Sequence, residues 1–231
     1  MRRVAVLLGG FLVAGAVMVA GCSGQVSSSG PRLAAGEGTC GWDGTAASIL
    51  QAGDAEVATL DLAAMASDAA GQEATIIDGP QARELDLFAD PGPTATSALD
   101  PMGLSRGILT YALTIGLAGS PPAGASLQLT YSGLCLADAN FMLSPWSGST
   151  GVAAPSLELA AALQAADDFR AQNPDLYPDQ LPLQSVNLMQ ATTAPPDFGL
   201  LRYYVNYGDP SSGDLQIVSV YMDGRTIDPI G

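Results

Sequence analysis

Carboxylates are the plentiful reactive groups in this chain. Its 23 Asp and Glu residues stand against eight arginines, with no histidine and no lysine anywhere. Without an imidazole, Ser-His-Asp and Cys-His catalysis have no base within the chain, and imidazole-based zinc sites are lost too. Without lysine it forms neither a Schiff base nor a Ser-Lys dyad, and it has no phosphate-loop lysine. Carboxylate chemistry remains. Asp167 with Asp168, Asp209 with Asp214, and Asp223 with Asp228 are pairs that in principle supply acid and base for glycoside hydrolysis. Nothing in the sequence sets two of them at the required separation, and Asp beside Gly and Pro is favoured in turns for local reasons. No catalytic residue and no enzymatic activity is therefore expected. The oxygen-rich stretches Asn206 to Asp214 and Asp138-x-Asn140 offer hard ligands to a structural calcium ion. A full Asp-x-Asp-x-Asp-Gly loop is missing, so neither a metal site nor a cofactor is predicted. Tyr203, Tyr204, Tyr207 and Tyr221 make an aromatic set on neighbouring predicted strands, able to stack on sugar or peptide where exposed. Half of such a set normally packs into a core.

The elements that would position these groups fall into two textures. Thr45 to Leu50 reads as a short helix or a lead-in to a strand, and a weak alternation runs from Val57 through Leu62. Glu73–Ile77 and Glu84–Phe88 are short strand candidates, each bounded by an Asp/Gly/Pro turn. Gly107 to Leu117 alternates over a full strand length, with Leu109, Tyr111, Leu113, Ile115 and Leu117 on one face. After Pro121-Pro122-Ala123-Gly124 the pattern repeats in Leu127, Leu129 and Tyr131. Antiparallel strands with one wet face, joined by Gly/Pro turns, predict a β-sandwich over residues 40–147. A boundary is expected near residues 147–154. Beyond it, Leu157 to Gln172 reads as an amphipathic helix stopped by Asn173-Pro174. Strands at Leu201–Tyr207 and Leu215–Met222 form a hairpin, giving a small α+β module over residues 155–231. The fold class expected is thus mainly β with α+β.

The N-terminus has a different character. Met1-Arg2-Arg3 precedes an apolar run from Val4 to Ala20, the pattern of a secretory signal. The following Val19-Ala20-Gly21-Cys22 resembles the lipobox of bacterial lipoproteins. That resemblance implies removal of residues 1–21 and a diacylglyceryl group on the Cys22 sulfur, which would tether the protein to the extracytoplasmic side of a cell membrane. Residues 22–39 are small and polar and read as a flexible tether. With Cys22 acylated, Cys40 and Cys135 remain as a pair in an oxidising compartment, and a disulfide between them is expected. It would close a loop of about a hundred residues, worth up to roughly 4–5 kcal/mol in the chain-entropy view.

Charge narrows the partners. Beyond residue 21, six arginines face all 23 acids, a net of −17. A surface so acidic repels phosphate backbones and anionic headgroups, so nucleic acid is not an expected partner and membrane attachment would rest on the lipid.

Two further resemblances bear on function. Leu104-Ser105-Arg106-Gly107, Leu109-Thr110, Pro122-Ala123-Gly124 and Leu136-Ala137-Asp138-Ala139-Asn140 follow the order of strands and turns in cohesin-type domains, and residues 56–147 resemble a shortened cohesin. This implies a jelly-roll sandwich related to carbohydrate-binding modules. The helix from Leu157, the Tyr203-Tyr204-Val205 strand and the stretch Val220 to Ile227 resemble a PepSY-type module, a family associated with inhibiting or chaperoning secreted peptidases. Together these predict a non-enzymatic binding protein of the cell envelope, for protein or polysaccharide. A regulator of a secreted peptidase is the first alternative, and a carboxylate-dependent glycoside hydrolase the second.

Overall fold

The computed structural model describes residues 45–89, 104–132, 135–143, 151–152, 154–179, 181–191, 199–209 and 213–227. The predicted signal, the tether, Cys22, Cys40 and Asp228 lie outside the described residues.

The chain opens with two helices. In α1 (Ala46–Val57) the Thr45 side chain accepts from the Ser48 amide at 3.1 Å, satisfying a backbone donor that the first turn leaves free. In α2 (Leu62–Ala70) Asp61 does the same for Ala64 at 3.0 Å. It ends on Gly71 at φ 64°, a left-handed cap that suits glycine. Four strands follow, β1 (Ala74–Ala89), β2 (Leu104–Leu117), β3 (Ala123–Ser132) and β4 (Cys135–Met142). The third helix, α3 (Leu159–Gln172), leads into β5 (Leu183–Gln190), β6 (Leu201–Asp209), β7 (Asp214–Tyr221) and the short β8 (Thr226–Ile227).

All eight strands form one sheet in the order β4-β3-β2-β1-β5-β6-β7-β8. Helix followed by a four-strand meander thus occurs twice, and the leading strands of the two halves, β1 and β5, pair antiparallel at the centre. The mainly antiparallel β class with a helix-plus-sheet portion is what the sequence predicts. The difference lies in the layers: the strands of both halves belong to one continuous sheet, and helices supply the layer facing it. The physical reason is visible in one row of paired residues. Leu129, Leu109, Leu85, Leu188, Tyr203 and Val220 are matched strand to strand from β3 to β7. Directly paired residues share a face, and all six are at most 1% exposed. The apolar stripe runs through both halves, so neither half closes its own core.

The same face carries α1 and α3. A Cβ added to Gly53 of α1 would come within 2.3 Å of Leu109 Cδ2, so this glycine lets the helix backbone rest on β2. The Tyr111 hydroxyl donates to Asp54 at 2.9 Å, fixing α1 in place. Over the second half, Tyr203 donates to the Leu157 carbonyl at 3.0 Å and Tyr207 to Asp167 at 2.7 Å. On β1, Asp78-Gly79-Pro80, which reads as a break in the sequence, is absorbed by register shifts within one long strand.

Candidate functional site

Because side chains alternate along a strand, the central residues of β5 to β7 and their partners on β1 divide between two faces. The face opposite α1 and α3, the far face, is polar at its centre: Glu84 and Asp86 on β1, Ser185 and Asn187 on β5, Arg202, Tyr204 and Asn206 on β6, and Ser219 and Tyr221 on β7. Two connected groups stand out.

The first crosses β1, β5 and β6. The Asn206 amide donates to Ser185 Oγ at 3.0 Å and to Asn187 Oδ1, and the Asn187 amide donates to Asp86. Glu84 lies beside Asp86 on the same strand face. Burial, followed by the neighbouring Asp86 charge, raises the Glu84 carboxyl from its usual 4.5 to about 7. Burial raises Asp86 as well, against the opposing hydrogen bonds from Asn187 and Glu84. Just below neutral pH Glu84 is therefore largely protonated and placed to donate to Asp86. The two carboxyls are in hydrogen-bond contact, whereas glycosidase pairs stand roughly 5–9.5 Å apart around the sugar. The arrangement suits hydrogen bonding to a polyhydroxylated ligand better than in-line acid and base work.

The second group crosses β6 and β7. Arg202 is only 2% exposed. Its guanidinium lies 4.1 Å from the Tyr204 ring centroid and 5.6 Å from that of Tyr221. It donates to the Tyr221 hydroxyl at 3.0 Å and, through its other terminal nitrogen, to the Tyr204 hydroxyl. Arg225 covers Tyr221 at 4.5 Å. Elsewhere, a cleft of about 170 Å³ is lined by Asp78, Gln81, Arg83 and Thr114 where β1 bulges from β2, below the roughly 300–1,000 Å³ of common small-molecule pockets.

The four tyrosines singled out in the sequence are separated by the pleat. Tyr203 and Tyr207 are core residues beneath α3, their hydroxyls engaged and their ionisation pushed up by burial. Tyr204 and Tyr221 face the other way with Arg202; of the four only Tyr204 is partly exposed, and Tyr221 is buried. The candidate acids are dispersed: Asp167 accepts from Tyr207, Asp168 from Gln164, and Asp223 from Arg225. Asp209 and Asp214 are cross-strand partners at the end of the β6–β7 ladder. Asn206, expected in an oxygen-rich turn, sits inside β6, and Asp138 and Asn140 lie on the edge strand β4. Among the described residues no group of three or more His, Cys, Asp or Glu could hold a metal ion. Cys135, the first residue of β4, is disulfide-bonded, and its partner lies outside the described residues. Sequence reasoning did not select Arg202, Asn187 or the Glu84–Asp86 pair as site residues. Their signal was available only as polar residues at alternate strand positions.

No family model matches this chain, and no curated protein matches it. Among solved structures it is similar to a MaoC-like dehydratase from Phytophthora capsici, at 11% identity over 64% of this chain and 68% of that one. The TM-score is 0.18, at which the likeness says nothing of fold or chemistry.

Proposed function

We propose that this chain is a lipid-anchored extracytoplasmic protein of the cell envelope that binds a carbohydrate on the far face of its sheet. The anchor rests on Val19-Ala20-Gly21-Cys22; among the described residues no helix is long and apolar enough to cross a membrane. The observation that carries the binding reading is the half-buried chain of amides and carboxyls from Asn206 through Asn187 to Asp86 and Glu84. Amide and carboxyl groups fixed by one another present donors and acceptors at set positions, which suits the paired hydroxyls of a sugar. Asn187 is central, because it bonds both neighbours.

The test is affinity capture from envelope extract with the full chain in detergent, followed by calorimetry with the captured polysaccharide. Wild type retains polysaccharide, and Asn187→Ala weakens binding roughly tenfold, the scale of one or two lost polar contacts. Capture of an envelope protein with no polysaccharide would replace this reading with protein docking.

A further inference from the structure

Arg202 is a buried cation with no counter-charge among the described residues. In a chain so rich in acids, Arg170 faces Asp167 and Arg225 faces Asp223, yet Arg202 meets no carboxylate among the described residues. An uncompensated buried charge is costly. Its compensation here is two phenol oxygens and two ring faces. Both hydroxyls accept from the guanidinium, and neither donates onward to a described residue. Each therefore retains an unspent O–H, sharpened as a donor by the cation behind it. Two more buried polar atoms of this group have no partner among the described residues: Arg202 Nε and Ser219 Oγ, the latter on the residue directly across the ladder from Tyr204.

We infer that Arg202, Tyr204, Tyr221 and Ser219 form a site for a carboxylate group, and, resting on the carbohydrate reading above, that the ligand is an acidic saccharide of the uronate type. The two hydroxyls are held by the two terminal nitrogens of one guanidinium, so they sit side by side, matching the two oxygens of a single carboxylate. A monoanion suits this protein better than a phosphate, because the net charge of −17 beyond residue 21 repels a dianion more strongly. The site adjoins the amide network: Asn187 and Tyr204 are direct cross-strand partners, close enough for one sugar ring to meet both. The acid group of the ligand rests on the tyrosines while its hydroxyls reach Asn187 and the carboxyl pair.

The experiment is calorimetry on the full chain in detergent with three probes: a galactose tetrasaccharide ending in a single galacturonic acid, the neutral all-galactose tetrasaccharide and inorganic phosphate. The expected result is uronate binding roughly tenfold tighter than neutral binding, the scale of one charge-assisted hydrogen bond. Tyr204→Phe keeps the ring over Arg202 and is expected to erase that preference while leaving neutral binding in place. Asn187→Ala is expected to weaken both saccharides. Equal affinity for the two saccharides, or a preference that survives Tyr204→Phe, overturns the carboxylate site and leaves the carbohydrate reading standing. Phosphate binding tighter than uronate overturns the choice of carboxylate. Binding of no saccharide overturns both.

Discussion

Glu84 and Asp86 are two residues apart on one strand, so the pleat puts both on one face, and no arginine contributes to the shift of either. The folded protein holds the Glu84 proton more tightly than the unfolded chain does. Between about pH 4.5 and about pH 7 the unfolded state has lost that proton and the folded state has not. Stability from this group is present at acid pH and is lost as pH rises through that window. Glu84→Gln keeps a hydrogen-bonding side chain and removes the titration. Urea midpoints taken at about pH 5 and about pH 7.5 should therefore fall more for wild type than for the variant; an equal fall in both would mean that Glu84 titrates normally. At this scale the sequence was least informative. Glu84 and Asp86 read only as strand residues, and Arg202 as one more charge between apolar neighbours, because what distinguishes them is burial imposed by strands distant in sequence.

Among the elements, legibility followed the strength of the local pattern. The β2–β3 hairpin was plain, since Leu109 to Leu117 and Leu127 to Tyr131 alternate without interruption and one face packs into the core. The third helix was plain for the same reason. The strand that joins the halves was missed. In β5 only Val186 and Leu188 are fully buried apolar residues, and Ser185 and Asn187 supply the other face, too few apolar positions to show a period. Both early helices were obscured because Ala, Gly and Asp dominate them, and their stability comes from the sheet beneath. The docking of α3 makes a prediction. Arg170, 4% exposed, stacks 3.7 Å from the Tyr207 ring, bonds Gln216, and donates to the carbonyls of Asp179 and Leu181. It thereby ties the helix to β6, β7 and the segment entering β5. Lysine cannot reproduce that fork, and the half-buried Leu181 carbonyl would lose its donor, while the Asp179 carbonyl would keep only that of Gln216. Arg170→Lys should cost about 2–3 kcal/mol in denaturant unfolding; a loss below about 0.5 kcal/mol would show that α3 is held by apolar packing alone.

For the molecule as a whole, the decisive feature is that the boundary seen in the sequence near residues 147–154 separates two halves of one sheet. Each half begins with helix and continues as a four-strand meander, but five consecutive residues, Glu84–Phe88, pair with Ser185–Met189 at the junction. Residues between the halves add to the seam, with the Val152 amide donating to the Ala82 carbonyl at 2.7 Å and Gln190 to the Gly151 carbonyl at 3.2 Å. Removing residues 151–231 would strip β1 of its partner on one side and leave Leu85 and Leu87 without Leu188 and Val186. A bare, central, apolar strand edge is a template for association. Losing cover on even two such leucines costs a few kcal/mol, a large share of the roughly 5–15 kcal/mol that holds a domain folded. The full chain should therefore unfold in a single cooperative transition by both near-UV and far-UV circular dichroism, and residues 36–150 alone should be aggregated or lack a transition by the same measures. A monomeric 36–150 fragment with its own sharp transition would show two independent modules that merely share a ladder. The ligand site would then also divide, since Glu84 and Asp86 lie on one side of the seam and Asn187, Asn206 and Arg202 on the other; a continuous far-face site requires the sheet to fold as one.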